Sequence, residues 1–317
     1  MKAALLFVVV SCCSICNSYQ QNPQRFQTAL RQPEAISLFG KPLHPISFSA
    51  KTASKLDSNL AAAKVSYDLD PHNADHIIWL GRRLAYLWRY KDALDMFSKG
   101  IARFPDDARF YRHRGHRYIT IREFDKAVAD LKKAAVLVRG KPDEIEPDGQ
   151  PNRYNIPTGT LQSNIWYHLG LAYYLKGEFN VALEAYLEGI KVSTNPDMLC
   201  ATSDWLYMTY RRLGHEEDAK KVLTPITKEM KILDNTAYHK RLLMYRGEVP
   251  TDSLLNSKDA SDLDIATQGY GVGNWYFYNG QKEKAKEIFQ RVLDGTYWAA
   301  FGYIAAEVDM KRMEDGK

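Results

Sequence analysis

Cysteine is nearly missing from the body of this 317-residue chain. Cys12, Cys13 and Cys16 crowd the N-terminus, and Cys200 stands alone in the remainder. Once that N-terminal stretch is cleaved in the ordinary way, no internal disulfide can form, so an apolar core must hold the fold. Dense basic runs are missing too. The formal charge of +5 is spread along the chain, which excludes a nucleic-acid footprint. Catalytic signatures are lacking: there is no G-x-S-x-G, no P-loop, no Rossmann fingerprint and no Cys-x-x-Cys beyond Cys13–Cys16. Without a nucleophile–base pair the chain reads as a non-enzyme, and nothing in it calls for a cofactor.

Apolar residues make up 45% of the chain and charged residues 26%. That is enough for a sizeable core and too little charge for a disordered chain. Twenty Tyr and six Trp suit helices that bury rings against their neighbours.

The first residues read as an export leader at 1–18. Met1 and Lys2 start positive, Ala3 to Val10 are apolar, and small residues follow. The apolar stretch is too short to remain as a spanning helix. Two cleavage readings stand side by side. Val9-Val10-Ser11-Cys12 resembles a bacterial lipoprotein box, with Cys12 as the lipid attachment site, whereas Cys16-Asn17-Ser18 offers ordinary cleavage before Tyr19. Either route sends the chain out of the cytoplasm, into the periplasm or onto a membrane surface. Residues 19–52, rich in Gln, Asn, Ser and Pro, read as a linker.

From Ala53 onward the apolar spacing is helical, and it repeats. Gly81 and Gly115, Ala93 and Ala127, Tyr90 and Phe124, and Phe97 and Leu131 each lie 34 residues apart. Trp166, Leu169, Gly170 and Tyr173 are followed by Gly177, Phe179, Ala182, Tyr186 and Pro196. This pattern resembles the tetratricopeptide repeat. The resemblance implies an all-α, right-handed superhelical solenoid over 53–313, with about six helical hairpins and a capping helix at Tyr297–Met313. Two segments break the period. Residues 140–162 form a long loop with four Pro and three Gly, and residues 228–265 read as a degenerate hairpin.

In this family the first helices of successive units line a concave groove that binds peptides. Register places Arg82 and Tyr86 there, then Arg109, Arg112 and His116 with His113 beside them. Tyr167, Leu171 and Tyr174 follow, then Asp204, Met208 and Arg211, then Tyr270, Asn274 and Phe277. The family's carboxylate clamp uses Lys and Asn, and Arg and His stand here instead. A basic first half and an aromatic middle imply an acidic or carboxylate-bearing protein segment as partner. A small anionic ligand or glycan is the alternative, and the bland reading is that these Arg residues pair with nearby acids. The acidic run Asp143, Glu144, Glu146 and Asp148 follows the most basic unit, so the loop could fold over the Arg cluster. His113 and His116 share a helix face, but Arg112, Arg114 and Arg117 around them oppose a metal ion. Gly269, Gly271 and Gly273 fall within a repeat helix and read as packing positions.

Overall fold

A computed structural model describes residues 32–255 and 262–316; the leader, Cys12 and the linker up to residue 31 lie outside the described residues. The described chain is built from α-helices, with one two-stranded ribbon: β1 (Ala35–Ile36) pairs antiparallel with β2 (Pro42–Leu43). A single helix, α1 (Ala50–Leu69), comes first. Hairpins follow in order: α2 (Ala74–Tyr86) with α3 (Tyr90–Arg103), α4 (Ala108–Thr120) with α5 (Phe124–Val138), α6 (Leu161–Lys176) with α7 (Phe179–Lys191), and α8 (Pro196–Arg212) with α9 (Glu216–Val222). Then come α10 (Thr236–Tyr245) with a 3-10 turn at Thr251–Leu254, the hairpin α11 (Asp262–Tyr278) with α12 (Lys282–Leu293), and α13 (Phe301–Glu314). The all-α hairpin stack expected from the periodicity is the observed architecture.

The helix starts are written locally. The side chains of Ser49, Asn73, Asp107, Thr160 and Asn195 each accept a backbone N–H in the first turn that follows, and Thr160 with Ser163 closes a capping box. Such caps are each worth about 1 kcal/mol. Within hairpins, the helices cross where the first lacks a side chain. A Cβ on Gly81 would sit 2.5 Å from the Phe97 ring, on Gly115 2.7 Å from Leu131, and on Gly170 2.6 Å from the Tyr186 ring. The 34-residue spacing of these glycines is therefore a spacing of close contacts between paired helices.

Two differences from the sequence reading matter. Part of the stretch read as linker is folded: Ala35 and Leu43 are buried, and His44 accepts a hydrogen bond from Trp298 Nε1 at 2.6 Å. An approach of this kind shows no helical period, so periodicity could not separate it from a tether. The second difference is the last helix. It packs on α11 and α12 as a cap would, and it also reaches α6 on the inner side of the stack. The part of the concave face formed by α6, α8 and α11 is therefore covered by the chain's own last helix.

Candidate functional site

The inner helices α2, α4 and α6 meet the 140–160 loop around a cavity of about 400 Å3. The loop is pinned at its base. Ile145 bridges Thr160 antiparallel, Glu146 N donates to Gly159 O at 3.1 Å, and Leu161 N donates to Glu144 O at 2.8 Å. Asp143 accepts from Thr160 Oγ1 at 2.6 Å and from Gln162 N at 2.9 Å. Between these anchors residues 147–158 make an excursion whose ends are close together, and it lies over the groove.

The Arg cluster receives the loop. Glu146 Oε1 sits 2.9 Å from Arg112 Nη2, with both side chains largely buried. Arg82 Nη2 donates to Pro147 O at 2.7 Å, and Arg83 Nη1 donates to Gly149 O at 2.6 Å. Gly149 lies against Tyr86, where a Cβ would fall 1.7 Å from the Tyr86 hydroxyl. Only glycine lets the loop backbone approach that ring. The fit is incomplete in one respect. Arg112 Nε, Glu146 Oε2, Asp148 Oδ2 and His168 Nε2 are all buried without a hydrogen-bond partner. Each such atom costs about 1–3 kcal/mol relative to its hydrated state. Burial, with Asp234 close by, also pushes the Asp148 carboxyl up.

Beneath the loop lie Tyr167, His168, Asn164, Tyr238, Asn235 and Phe301. Tyr167 Oη is 2.8 Å from Tyr238 Oη and accepts from Trp205 Nε1 at 2.8 Å. The His168 ring stands 4.3 Å from His116 and 5.5 Å from Phe301, centroid to centroid. Its Nδ1 is 2.6 Å from the Asn164 carbonyl. A carbonyl only accepts, so Nδ1 carries the proton and Nε2 is a bare lone pair. Burial holds His113, His116 and His168 well below the usual imidazole range, and Arg112 and Arg117 reinforce it.

Of the residues that register assigned to one groove, Arg82, Tyr86, Arg112 and Tyr167 line this cavity, and His116 borders it, 5.1 Å from the Phe301 ring. The others stand elsewhere. Arg109 lies outside, forked between Asp107 and Asp75 at 2.6 Å each. Tyr174 and Asn274 are core residues: Asn274 Nδ2 donates to Tyr174 Oη at 3.0 Å, Tyr270 Oη donates to Asp309 Oδ2 at 3.0 Å, and the Tyr174 and Tyr270 hydroxyls lie 2.8 Å apart. Arg212 joins them through Asn274 Oδ1 at 2.7 Å and an ion pair to Asp309. Helix α13 covers this network, so Tyr174 and Asn274 face α13 and the core, not an open groove. Leu171 and Met208 are fully buried, and so is the Asp204–Arg241 ion pair, which joins α8 to α10. Arg211 is at the rim, on Asn279 and over the Tyr278 ring.

Register missed Trp88 and Arg122. They occupy the hairpin turns 34 residues apart, with φ of 58° and 70°, where later hairpins place Gly177, Gly214 and Gly280. A large side chain in left-handed backbone costs of order 1–2 kcal/mol. Both side chains grip the C-terminal segment. Trp88 stacks edge-on against Trp298 at 5.0 Å, and Arg122 donates to Trp298 O and to Glu307. The missing glycines were the available signal.

Among the described residues no helix is long and apolar enough to cross a membrane, and no group of three or more His, Cys, Asp or Glu is placed to hold a metal ion. No curated protein matches this chain. Three solved structures can be set beside it. A tetratricopeptide repeat protein from Parabacteroides merdae is 13% identical, with 82% of this chain and 94% of that one covered and a TM-score of 0.47. YrrB, described as a TPR protein with an unusual peptide-binding site, is 16% identical over 79% of this chain and 98% of its own, with a TM-score of 0.42. MamA is 20% identical over 64% of this chain and all of its own, also at 0.42. The family model of the tetratricopeptide repeat matches residues 163–196, which span the hairpin α6–α7, whose first helix floors the loop-covered cavity.

Proposed function

We propose that this chain is an exported protein-binding scaffold whose concave face takes an acidic, extended segment of a partner, and that its own 140–160 loop holds that place when the partner is away. One observation carries the reading: the loop already presents a carboxylate to Arg112 and two backbone carbonyls to Arg82 and Arg83. Those are the contacts an extended acidic peptide would make. The unpaired atoms at Arg112, Glu146, Asp148 and His168 make the closed state less than fully satisfied, which favours exchange for a better-fitting segment or for water. Export, and a membrane tether through a lipid on Cys12 in one of its two forms, belong to the same proposal and rest on the leader composition alone.

The test replaces residues 147–158 with Gly-Ser-Gly and makes Glu146→Ala, which keeps the backbone contacts of the pinned base, and measures binding of a labelled hexaglutamate peptide by fluorescence anisotropy. The loop-replaced chain should bind at least about tenfold more tightly than the unaltered chain, and Arg82→Ala with Arg112→Ala should abolish the gain. Equal, weak binding by both would sink the reading.

The cavity supports a second reading, a small anionic ligand or glycan. Rings of Tyr86, Tyr167, Tyr238 and Phe301 surround about 400 Å3 with Arg and Asn among them, a size and lining that suit a small molecule. Thermal stabilisation of the unaltered chain by a sugar or organic anion, with no peptide effect, would favour it.

A further inference from the structure

On the far side of α6 from the cavity lies a second depression, of about 1080 Å3, between α5 and α7. The α6 residues in it are Gln162, Trp166, Leu169 and Tyr173, whereas those facing the cavity are Ser163, Asn164, Tyr167 and His168. At 100° per residue these sets lie on opposite sides of the helix. The rims carry exposed apolar side chains: Val136 at 57%, Leu187 at 38% and Val181 at 37% of full exposure. Three such side chains around one apolar floor exceed the scattered exposure of an ordinary surface.

The rims also differ in charge. On α5 and at its C-cap, Lys132, Val136 and Arg139 follow at i, i+4 and i+7, a basic-apolar-basic row. On α7, Val181, Glu184, Leu187 and Glu188 make an apolar-acidic-apolar-acidic row, with Lys191 at its end. Among the described residues Lys132, Arg139 and Glu184 have no ion-pair partner; Glu188 pairs with Lys191 at the exposed end of α7. A surface with one basic and one acidic wall across an apolar floor is complementary to itself. A two-fold rotation sets the α7 ridge of each copy into the other's groove, with Glu184 and Glu188 against Lys132 and Arg139 and with Leu187 and Val181 against Val136 and Trp166. This is the isologous arrangement that two-fold dimers require.

We infer that the α5–α7 groove is a homodimer interface, occupied by α7 of a second copy of this chain. The face is independent of the loop-covered cavity, so the dimer leaves both concave sites free.

The experiment is light scattering and sedimentation of the purified full chain over a hundredfold range of concentration, at about 0.1 M salt and at about 1 M, where surface charge pairs are screened. A concentration-dependent dimer is expected. Leu187→Glu should raise its dissociation constant at least about tenfold. Glu184→Lys with Glu188→Lys should do the same by setting like charges together, and adding Lys132→Glu and Arg139→Glu should restore the dimer. All these side chains are on the surface, and circular dichroism melts confirm that each variant remains folded. A monomer at every concentration, or a dimer indifferent to Leu187→Glu and to the charge exchange, would overturn the assignment.

Discussion

Arg122 and Glu307 stand 185 residues apart in the sequence and form a buried ion pair, with Nη2 2.6 Å and Nε 2.9 Å from the same carboxylate oxygen. The other carboxylate oxygen accepts from Leu38 N at 2.7 Å. One side chain of α13 thus joins the N-terminal ribbon, the turn of the α4–α5 hairpin and the C-terminal helix. This contact, together with Arg212–Asp309 and the hydrogen bond from Arg312 Nη2 to Leu175 O at 2.7 Å, holds α13 across the inner side of the stack.

Removing one partner of a pair this dry leaves the other charge stranded. Glu307→Ala should destabilise the chain by about 3–5 kcal/mol, read as a lower midpoint in urea. The double variant Arg122→Gly, Glu307→Leu should recover most of the loss, because it removes both charges and relieves the left-handed turn at Arg122. A double variant no better than Glu307→Ala would show that the pair does more than neutralise itself.

Gly302 is where α13 meets α11. A Cβ there would fall 2.0 Å from the Ala266 carbonyl oxygen, which is backbone and cannot swing away. At Gly81, Gly115 and Gly170 the obstacle is a side chain. Gly302→Ala should therefore cost more than Gly115→Ala, whose overpacking falls in a range of about 1–3 kcal/mol. Hydrogen exchange should show α13 loosened in the first variant and protected in the second.

Three histidines beside the Arg cluster make stability pH-dependent, and the sign follows from the direction of their shifts. His113, His116 and His168 titrate well below 6.5 when folded, chiefly through burial, and near 6.5 when unfolded. Below that pH the unfolded chain binds more protons, so stability present at neutral pH is lost as the pH falls. The slope is roughly 1.4 kcal/mol per pH unit for each histidine. Denaturation midpoints at pH 7.5, 6.5 and 5.5 should fall in that order, and His168→Gln should flatten the curve. A midpoint unchanged down to pH 5.5 would contradict the downward shift of all three.

Glu146 fastens the loop to the groove. Glu146→Ala should speed tryptic cleavage at Arg153 and amide exchange over 147–158, because Arg112 then gains by hydration that only an open loop allows. Exchange in α11–α13 should stay as it was, since no part of the lock at Glu307 and Asp309 touches the loop.

Local sequence alone determined the helical hairpins. Gly115 and Leu131, or Gly170 and Tyr186, sit in adjoining helices, and caps such as Thr160 with Ser163 act over one turn. A period of 34 residues is therefore visible without any distant contact. The same register chose Arg82, Tyr86, Arg112 and Tyr167 for the inner face, and the acidic run from Asp143 to Asp148 beside a basic unit hinted at the cover above them. What lies against that inner face was decided only by the tertiary structure. Tyr174 and Asn274 are buried because α13 returns across the stack, and the residues that bring it back, Arg122 with Glu307 and Arg212 with Asp309, have no fixed spacing in the sequence. An ion pair across 185 residues leaves no periodic trace. Its one local mark is a strained turn where a glycine would have been easier.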